Sequence, residues 1–249
     1  MQQQKAFERI QQSWLAEQER KVLIAMAGQM PAWVMPDHLT MVGLAGSLMC
    51  GAGFALSGVS EAWLWLTVIG LALNWFGDSL DGNLARLRHT ERPQYGFFVD
   101  HTSDIVSQTL IFMGIALSPN VRFETGTLLL LSYWLAAMLT FIRTISTRVF
   151  RISYFGIGPT EIRIGLLIYS LSLMTVGPLP IGRGLGTLTV MDVLAIIIFG
   201  VVLTSFVAMS ILEARRLAAS EGRPGQIPQH GDGMMLASPV LAVPKTRLS

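Results

Sequence analysis

Six uncharged apolar stretches dominate this sequence and constrain its fold more than any other feature. Each comes close to the ~20 residues that a helix needs to cross the core of a bilayer. The stretches are residues 39–57, 62–77, 105–121, 125–142, 164–180 and 193–212. Only 14% of the residues are charged, whereas a soluble domain carries roughly 25%. We therefore predict an all-α integral membrane protein with six transmembrane helices, and we exclude a soluble globular fold.

The segments outside these spans are short, so the sequence predicts one membrane domain with two extensions. Apolar residues at helical spacing before residue 27 predict an amphipathic helix in the cytoplasmic interface, within an N-terminal segment 1–35. An alternative is that this helix packs on its own membrane domain. The six-helix domain is expected to cover residues 36–216. Residues 217–249 are rich in Gly, Pro, Ser and Gln, which predicts a disordered cytoplasmic tail.

Basic residues are distributed very unevenly between the two sides of this predicted topology. With six spans, both termini share one side, and that side holds all of the 18 Lys and Arg residues except Arg122 and Arg183. Since Lys and Arg concentrate in cytoplasmic segments, both termini are predicted to be cytoplasmic. The N-terminus lacks the residue order of a cleavable signal peptide, so we expect it to be retained. The single cysteine, Cys50, lies inside the first span and is interpreted as a packing residue.

Four aspartates flank the connection between the second and third spans. Asp78 and Asp81 are three residues apart, and Asp100 and Asp104 are four apart, so each pair shares one helical face. Two antiparallel helices joined by a short loop can bring the four carboxylates together, where they repel one another unless cations compensate. Oxygen ligands of this kind suit Mg²⁺ or Mn²⁺. Helix packing through small residues would not explain four aspartates in phase.

Small residues and a cation follow the first aspartate pair. Gly82 and Ala85 share a face with the aspartates, and Arg86 lies five residues beyond Asp81. A divalent-metal site beside an arginine suits a phosphoanhydride, and small side chains leave room for a nucleotide against the helix. Packing between helices explains Gly82 and Ala85 equally well.

These positions together resemble the signature of a known family. They form the pattern Asp78-x2-Asp81-Gly82-x2-Ala85-Arg86 followed by Gly96-x3-Asp100-x3-Asp104. This pattern resembles that of the CDP-alcohol phosphatidyltransferases, the six-span enzymes of phospholipid headgroup transfer. Residues 36–40 also look like the family's Pro-Asp/Asn-x-x-Thr segment before the first span. One departure is that the loop between Arg86 and Gly96 is one residue longer than the family's usual spacing.

The resemblance implies a metal-dependent phosphotransferase for substituted phosphate groups. It would move a phosphatidyl group from CDP-diacylglycerol to a small polar alcohol and release CMP. By this resemblance the four aspartates would hold two ions, Mg²⁺ or Mn²⁺, and Asp104 would also act as general base. The residues implied to hold the CDP group are Asp37, Thr40, Gly82, Ala85 and Arg86. The resemblance also suggests a homodimer in a bacterial inner membrane, with its active site facing the cytoplasm and no nucleic-acid partner.

Two arginines near the predicted spans are candidates for the acceptor pocket. Arg143 and Arg163 lie near the cytoplasmic ends of adjacent spans, where they could oppose the charge of a phosphorylated acceptor. The alternative for both is anchoring to anionic lipid headgroups. For Arg148 and Arg151 we favour this anchoring.

Three other functions remain open at the level of sequence. A CDP-aminoalcohol could be the donor with diacylglycerol as acceptor, since His101 directly after Asp100 also looks like the aminoalcohol branch of the family. An intramembrane prenyltransferase also holds Mg²⁺-pyrophosphate with aspartates, although the spacing of Asp78 and Asp81 differs. A non-enzymatic relative serving as a lipid-binding subunit is disfavoured by the intact set of aspartates.

Overall fold

Helices form most of the chain. The computed structural model describes residues 8–10, 16–147, 149–151, 158–182 and 187–221. The helices in this part are α1 (Ala16–Gly28), α2 (Pro36–Leu56), α3 (Leu64–Leu87), α4 (Pro93–Leu117), α5 (Phe123–Thr147), α6 (Pro159–Thr175) and α7 (Val190–Glu221), with a 3₁₀ turn at Glu61–Trp63. Four short strands accompany them: β1 (Glu8–Ile10), β2 (Val149–Arg151), β3 (Pro180–Ile181) and β4 (Leu188–Thr189).

Each of the six predicted spans falls on one of the helices α2 to α7. In the described part of the chain, three segments are long and apolar enough to cross a membrane, namely Pro36–Leu56, Phe123–Ile145 and Val190–Ala219. α6 has only 17 residues, about 25 Å at 1.5 Å per residue, which is less than the ~30 Å hydrocarbon core. The helical membrane character is therefore confirmed, whereas the number of six spans stays a prediction.

The N-terminal segment differs from the continuous helix predicted before residue 27. Residues Glu8–Ile10 form β1, which pairs in parallel with β2, and α1 begins only at Ala16. Helical periodicity in the sequence could not anticipate a backbone partner about 140 residues away in the chain. Within α1, Leu23 and Ala27 are buried in one cluster with Leu80 of α3. This face of α1 packs on the membrane domain, and its place in the lipid interface stays a prediction.

The C-terminal part of the chain forms a separate compact unit. Contacts divide the chain into Met1–Ser210 and Ile211–Ser249. In the second unit the structure describes the end of α7, which continues through Glu221. The helix thus extends into the segment 217–249 that was predicted to be disordered, and residues 222–249 lie outside the described part.

Glycines let α2 pack directly on the backbones of α3 and α4. A Cβ atom added to Gly46 would lie 2.5 Å from the backbone nitrogen of Asn74, and one added to Gly70 would lie 2.6 Å from the carbonyl oxygen of Gly46. On the other side of α2, a Cβ on Gly114 would collide with the backbone of Gly51. Small residues at such crossings are how helices approach closely in a membrane. α2 therefore lies between α3 and α4 with no room for side chains at these crossings.

Arg88, directly after α3, holds the connection between α1 and α2. Its guanidinium donates to the carbonyl oxygens of Met30 at 2.9 Å, Pro31 at 2.8 Å and Val34 at 2.5 Å. A guanidinium has five N–H donors in a fixed geometry, so it can bind several carbonyl oxygens at once. The turn before α2 is thus tied to the end of α3.

A buried carboxylate organises the start of α7. Asp192 is fully buried, and it accepts hydrogen bonds from the Arg122 backbone N–H at 2.8 Å and from the Thr125 hydroxyl. Its other oxygen accepts from the backbone N–H and the hydroxyl of Thr189, at 2.7 and 2.9 Å. These four donors compensate the loss of water around the charge. Asp192 therefore joins the start of α7 to the start of α5.

Candidate active site

Three carboxylates meet where α3 ends and α4 begins. Asp78 of α3 and Asp100 and Asp104 of α4 each place a carboxylate oxygen within 4.8 Å of the others, and all three residues are partly buried. We call these three residues the carboxylate cluster. Three negative charges at this distance repel one another, and a divalent cation with a preference for oxygen ligands would remove that repulsion. The donor set therefore fits Mg²⁺ or Mn²⁺.

Arg163 of α6 is buried against the carboxylate cluster. Its Nη2 atom donates to Asp78 Oδ2 at 2.5 Å and its Nε atom donates to Asn74 Oδ1 at 2.7 Å. Asn74 in turn donates to Ser47 Oγ at 2.8 Å and to the Gly43 carbonyl oxygen at 3.2 Å. A guanidinium held on two sides fixes the carboxylate that it contacts. The orientation of Asp78 therefore depends on α6 and, through Asn74, on α2.

Asp81 lies one turn beyond Asp78 on α3 and is not a member of the carboxylate cluster. Its Oδ2 atom accepts from the Thr40 hydroxyl at 2.6 Å, and its Oδ1 atom accepts from the Gly82 backbone N–H at 2.5 Å. Thr40 stands in the first turns of α2. The structure thus places two of the predicted site residues, Asp81 and Thr40, in direct contact, and the role of Asp81 as a metal ligand stays a prediction.

Asp37, predicted to bind the donor, is paired with residues of the loop before α4 and of α4. Both of its carboxylate oxygens accept from Arg92, at 2.7 and 2.8 Å, and one also accepts from the Tyr95 hydroxyl at 3.2 Å. The Arg92 guanidinium lies 3.9 Å from the centre of the Tyr95 ring. The hydrogen bonds to Asp37 raise the pKa of Arg92 above its usual range. Because the pair is exposed to solvent, it adds little to stability.

The face of α3 beyond Asp81 has room for a ligand. A Cβ added to Gly82 would first meet Arg86 Nη1, at 3.4 Å, which is the far end of a flexible side chain. Ala85 is partly buried, and the exposed Arg86 donates to Asn83 Oδ1 at 3.0 Å. Among the described residues, a Cβ added to Gly96 at the start of α4 would meet no atom within 4 Å. In this part of the chain neither Gly82 nor Gly96 lies at a close helix crossing, unlike Gly46 or Gly70.

The remaining predicted residues lie in α4, in α5 or just after α5. Arg143 is partly buried in the last turns of α5, whereas Arg148 and the side chain of Arg151 lie outside the described part. His101 stacks on Phe97, contacts the Phe97 carbonyl oxygen at 2.7 Å and lies against Phe141. Aromatic packing thus accounts for His101, and it does not favour the aminoalcohol branch.

Sequence reasoning did not identify the contacts that Asn74 and Glu19 make near the site. Asn74 carried a signal, because a buried amide inside an apolar span is costly and needs partners. Glu19, whose carboxylate contacts Trp75, Ser79 and Thr160, carried none, since charged residues are ordinary on a helix outside the membrane.

The fold and the carboxylate cluster together define a helical membrane protein with an oxygen-ligand site beside one end of α3. The chain belongs to the CDP-alcohol phosphatidyltransferase family, whose family model matches residues 33–204. The resemblance drawn from the aspartate pattern is therefore confirmed.

Two curated relatives share part of this chain. A phosphatidylinositol phosphate synthase of Cutibacterium acnes is 40% identical over 88 residues, which are 34% of this chain and 39% of that protein. An archaetidylinositol phosphate synthase of Pyrococcus horikoshii is 33% identical over 104 residues, 42% of this chain and 52% of that protein. The matched regions thus span about half of these relatives or less.

A solved structure shares the fold of this chain. It is the crystal structure of a Mycobacterium tuberculosis phosphatidylinositol phosphate synthase with CDP-DAG bound, and it covers 85% of this chain and 100% of its own. The TM-score is 0.55 and the sequence identity is 18%. The likeness supports the helical membrane architecture.

Proposed function

We propose that this chain transfers a phosphatidyl group from CDP-diacylglycerol to a small polar alcohol and releases CMP. The observation that carries the proposal is the carboxylate cluster, which is formed by motif aspartates of the family. The names of both relatives favour a phosphorylated inositol as the acceptor. CDP-DAG in the related crystal structure supports the choice of donor.

The aspartates are proposed to hold two divalent ions, Mg²⁺ or Mn²⁺. Asp78, Asp100 and Asp104 supply the cluster, and Asp81 would join them as a ligand from the next turn of α3. When bound, the ions would neutralise charge on the pyrophosphate and on the departing CMP. Arg163 would keep Asp78 oriented through their direct contact.

The proposed reaction exchanges one oxygen for another on the lipid phosphorus. The hydroxyl oxygen of the acceptor forms a bond to this phosphorus, and the bond from the phosphorus to the bridging oxygen of CMP breaks. Asp104 accepts the hydroxyl proton, a role that a carboxylate beside the incoming alcohol can perform. CMP leaves with the electron pair of the broken bond.

The CDP group is proposed to lie on the open face of α3. Gly82 and Ala85 leave space there, and Arg86 supplies an exposed cation for the phosphates. Thr40 positions Asp81 through its hydroxyl. Asp37 would reach the nucleotide from the start of α2, next to its contact with Arg92.

Arg143 and Arg163 are the proposed cations of the acceptor pocket. A phosphorylated acceptor brings about two negative charges towards the aspartates and requires fixed positive charge. Arg163 already contacts Asp78 and Asn74, so its charge acts from a fixed position. Arg143, in the last turns of α5, is the stronger candidate for a direct contact.

The protein is proposed to be a six-span homodimer of a bacterial inner membrane, with its termini and active site in the cytoplasm. The excess of Lys and Arg on the side of the termini supports this orientation.

The test is a substrate screen with the purified chain in nanodiscs. CDP-diacylglycerol is offered with inositol phosphate, glycerol phosphate, serine, choline or ethanolamine, with and without Mg²⁺ or Mn²⁺. We expect metal-dependent CMP release and a phosphatidylinositol phosphate product. A parallel set of reactions offers CDP-choline or CDP-ethanolamine with diacylglycerol. Turnover of these donors, and none of CDP-diacylglycerol, would reverse the proposed roles of the substrates.

A further inference from the structure

Glu19 of α1 joins three helices through a single carboxylate oxygen. Its Oε1 atom accepts from Trp75 Nε1 at 2.8 Å, from Thr160 Oγ1 at 2.8 Å and from Ser79 Oγ at 3.5 Å. Trp75 and Ser79 belong to α3, and Thr160 belongs to α6. Glu19 is partly buried, so water competes less with these bonds than at an exposed site.

The same two helices, α3 and α6, are joined a second time inside the site. Ser79 directly follows Asp78, and Thr160 precedes Arg163 by three residues, close to one helical turn. The Arg163 to Asp78 contact of 2.5 Å therefore lies next to the bonds that Glu19 accepts. The position of α6, and with it the position of the Arg163 guanidinium, depends on both connections.

We propose that Glu19 is a positioning residue for the metal site, which makes α1 a functional part of the enzyme. By holding the first turn of α6 against α3, Glu19 keeps Arg163 in place on Asp78, and Asp78 keeps its orientation within the carboxylate cluster. The inference rests on the proposed function insofar as the carboxylate cluster binds a divalent ion. The three donors to Glu19 are uncharged groups, so its role depends on hydrogen-bond acceptance and not on its negative charge.

This distinction gives a rescue experiment with a matched control. Glu19→Ala removes the acceptor, whereas Glu19→Gln keeps an amide oxygen for the same donors. Glu17→Ala is the control, because Glu17 lies on the same helix with its side chain 82% exposed, where it pairs with the exposed Lys21. Binding of Mn²⁺ alone is measured from the loss of the free Mn²⁺ EPR signal, beside kcat, the Mn²⁺ dependence of CMP release and the unfolding temperature.

We expect Glu19→Ala to weaken Mn²⁺ binding about 10-fold, the lower end of the effect of removing outer-shell support from a metal ligand. Glu19→Gln should stay within about twofold of the wild type, since its amide oxygen can still accept from the same three donors. Glu17→Ala should bind Mn²⁺ as the wild type does. A purely structural role would lower the unfolding temperature and leave the Mn²⁺ affinity of the folded protein unchanged, and that result would overturn the inference.

Thr160→Val keeps the inference testable if Glu19→Ala does not fold. It removes only the hydrogen bond from α6 and should weaken Mn²⁺ binding by at most about fivefold, because one neutral hydrogen bond is worth about 1 kcal/mol. Wild-type Mn²⁺ affinity in folded Thr160→Val, or an equal loss in Glu17→Ala, would refute the inference.

The outcome for Glu19 is separable from the outcome for the proposed reaction. If the wild type binds Mn²⁺ but releases no CMP from any CDP-linked donor, the reaction is refuted, while a loss of binding in Glu19→Ala still supports the positioning role. If the wild type is active and Glu19→Ala binds Mn²⁺ equally well, only the positioning role is refuted. A wild type that binds no Mn²⁺ overturns both.

Discussion

The aspartates near the two ends of α4 have opposite kinds of partners. Asp192 lies beyond the C-terminal end of α4, where backbone N–H groups and hydroxyls of three other residues satisfy both of its oxygens. At the N-terminal end, Asp100 and Asp104 face Asp78 within 4.8 Å, so like charges are brought together. A carboxylate saturated by neutral donors has no need of a cation, whereas a group of mutually repelling carboxylates is stabilised by one. The hydrogen-bond and charge partners of a buried aspartate therefore indicate its role better than its burial does. Neutral donors indicate a role in the fold, and neighbouring carboxylates indicate a cation site.

Asp81 tests this comparison most severely, because it has features of both kinds. Like Asp192 it accepts from a hydroxyl and a backbone N–H, and like Asp78 it belongs to the family motif. We expect Asp81→Asn to lower turnover by more than about 10⁴-fold and to weaken Mn²⁺ binding, since a metal ligand contributes several kcal/mol to the transition state. The amide oxygen can still accept from Thr40, and the Gly82 N–H lies inside α3, where it keeps a helical carbonyl acceptor. The unfolding temperature should therefore fall by less than in Asp192→Asn. Wild-type activity with a lowered unfolding temperature would instead place Asp81 with Asp192.

Asp104, the proposed general base, gives the next largest expected effect. Asp104→Asn should lower kcat by ~10² to 10⁴-fold, because the amide cannot accept the hydroxyl proton. Binding of CDP-diacylglycerol should change little, since the nucleotide is expected to contact residues of α2 and α3. Single-turnover rates and donor affinity, measured on the same preparation, separate these effects. An equal fall in rate and donor affinity would make Asp104 a donor-binding residue.

The same substitution at Asp192 should lower the stability of the fold and leave the metal site and turnover unchanged. Asp192→Asn replaces one acceptor oxygen by a donor that faces N–H and O–H groups, which should lower the free energy of unfolding by about 2 to 3 kcal/mol. Chemical unfolding in detergent measures this loss, and Mn²⁺ affinity of the folded variant should match the wild type. A change in Mn²⁺ affinity would show that the two regions are coupled and that the comparison between them fails.

The two arginines give the smallest expected effects. Arg143→Gln should raise the KM for a phosphorylated acceptor about 10-fold and leave the KM for CDP-diacylglycerol unchanged, since one charge-assisted hydrogen bond is worth about 1.5 kcal/mol. Arg163→Gln should raise the Mn²⁺ requirement about 10-fold, because Asp78 loses its outer partner. Steady-state kinetics with each substrate and with Mn²⁺ varied in turn distinguish the two variants. A selective rise in the acceptor KM for Arg163→Gln, with an unchanged Mn²⁺ requirement, would show that Arg163 acts on the acceptor and not through Asp78.

The sequence predicts what depends on local periodicity. Apolar stretches locate α2 to α7, and the spacings of three and four residues place the aspartates on shared faces. The contacts that complete the site join residues far apart in the chain, such as Glu19 and Thr160, which are separated by 141 residues. No single-sequence pattern specifies such pairs, and the same limit explains why β1 was predicted as helix. The close contact of Gly46 with Gly70 could have been predicted from the sequence, since glycines inside apolar spans indicate close helix crossings.

The close crossing of α2 and α3 has a consequence for how freely this protein can change. A Cβ atom on Gly43 would lie 3.1 Å from the backbone nitrogen of Asp78 itself, and one on Gly77 would collide with the backbone of Gly43. The position of Asp78 on α3 is thus set by direct contact between the main chains of α2 and α3, and not by side chains. Most described side chains of α7 are exposed or partly exposed. Adaptation to a thicker bilayer, or redesign of the outer surface for solubility, can therefore replace many of these exposed residues while the backbone around Asp78 is preserved, whereas one added methyl group at Gly77 would alter it.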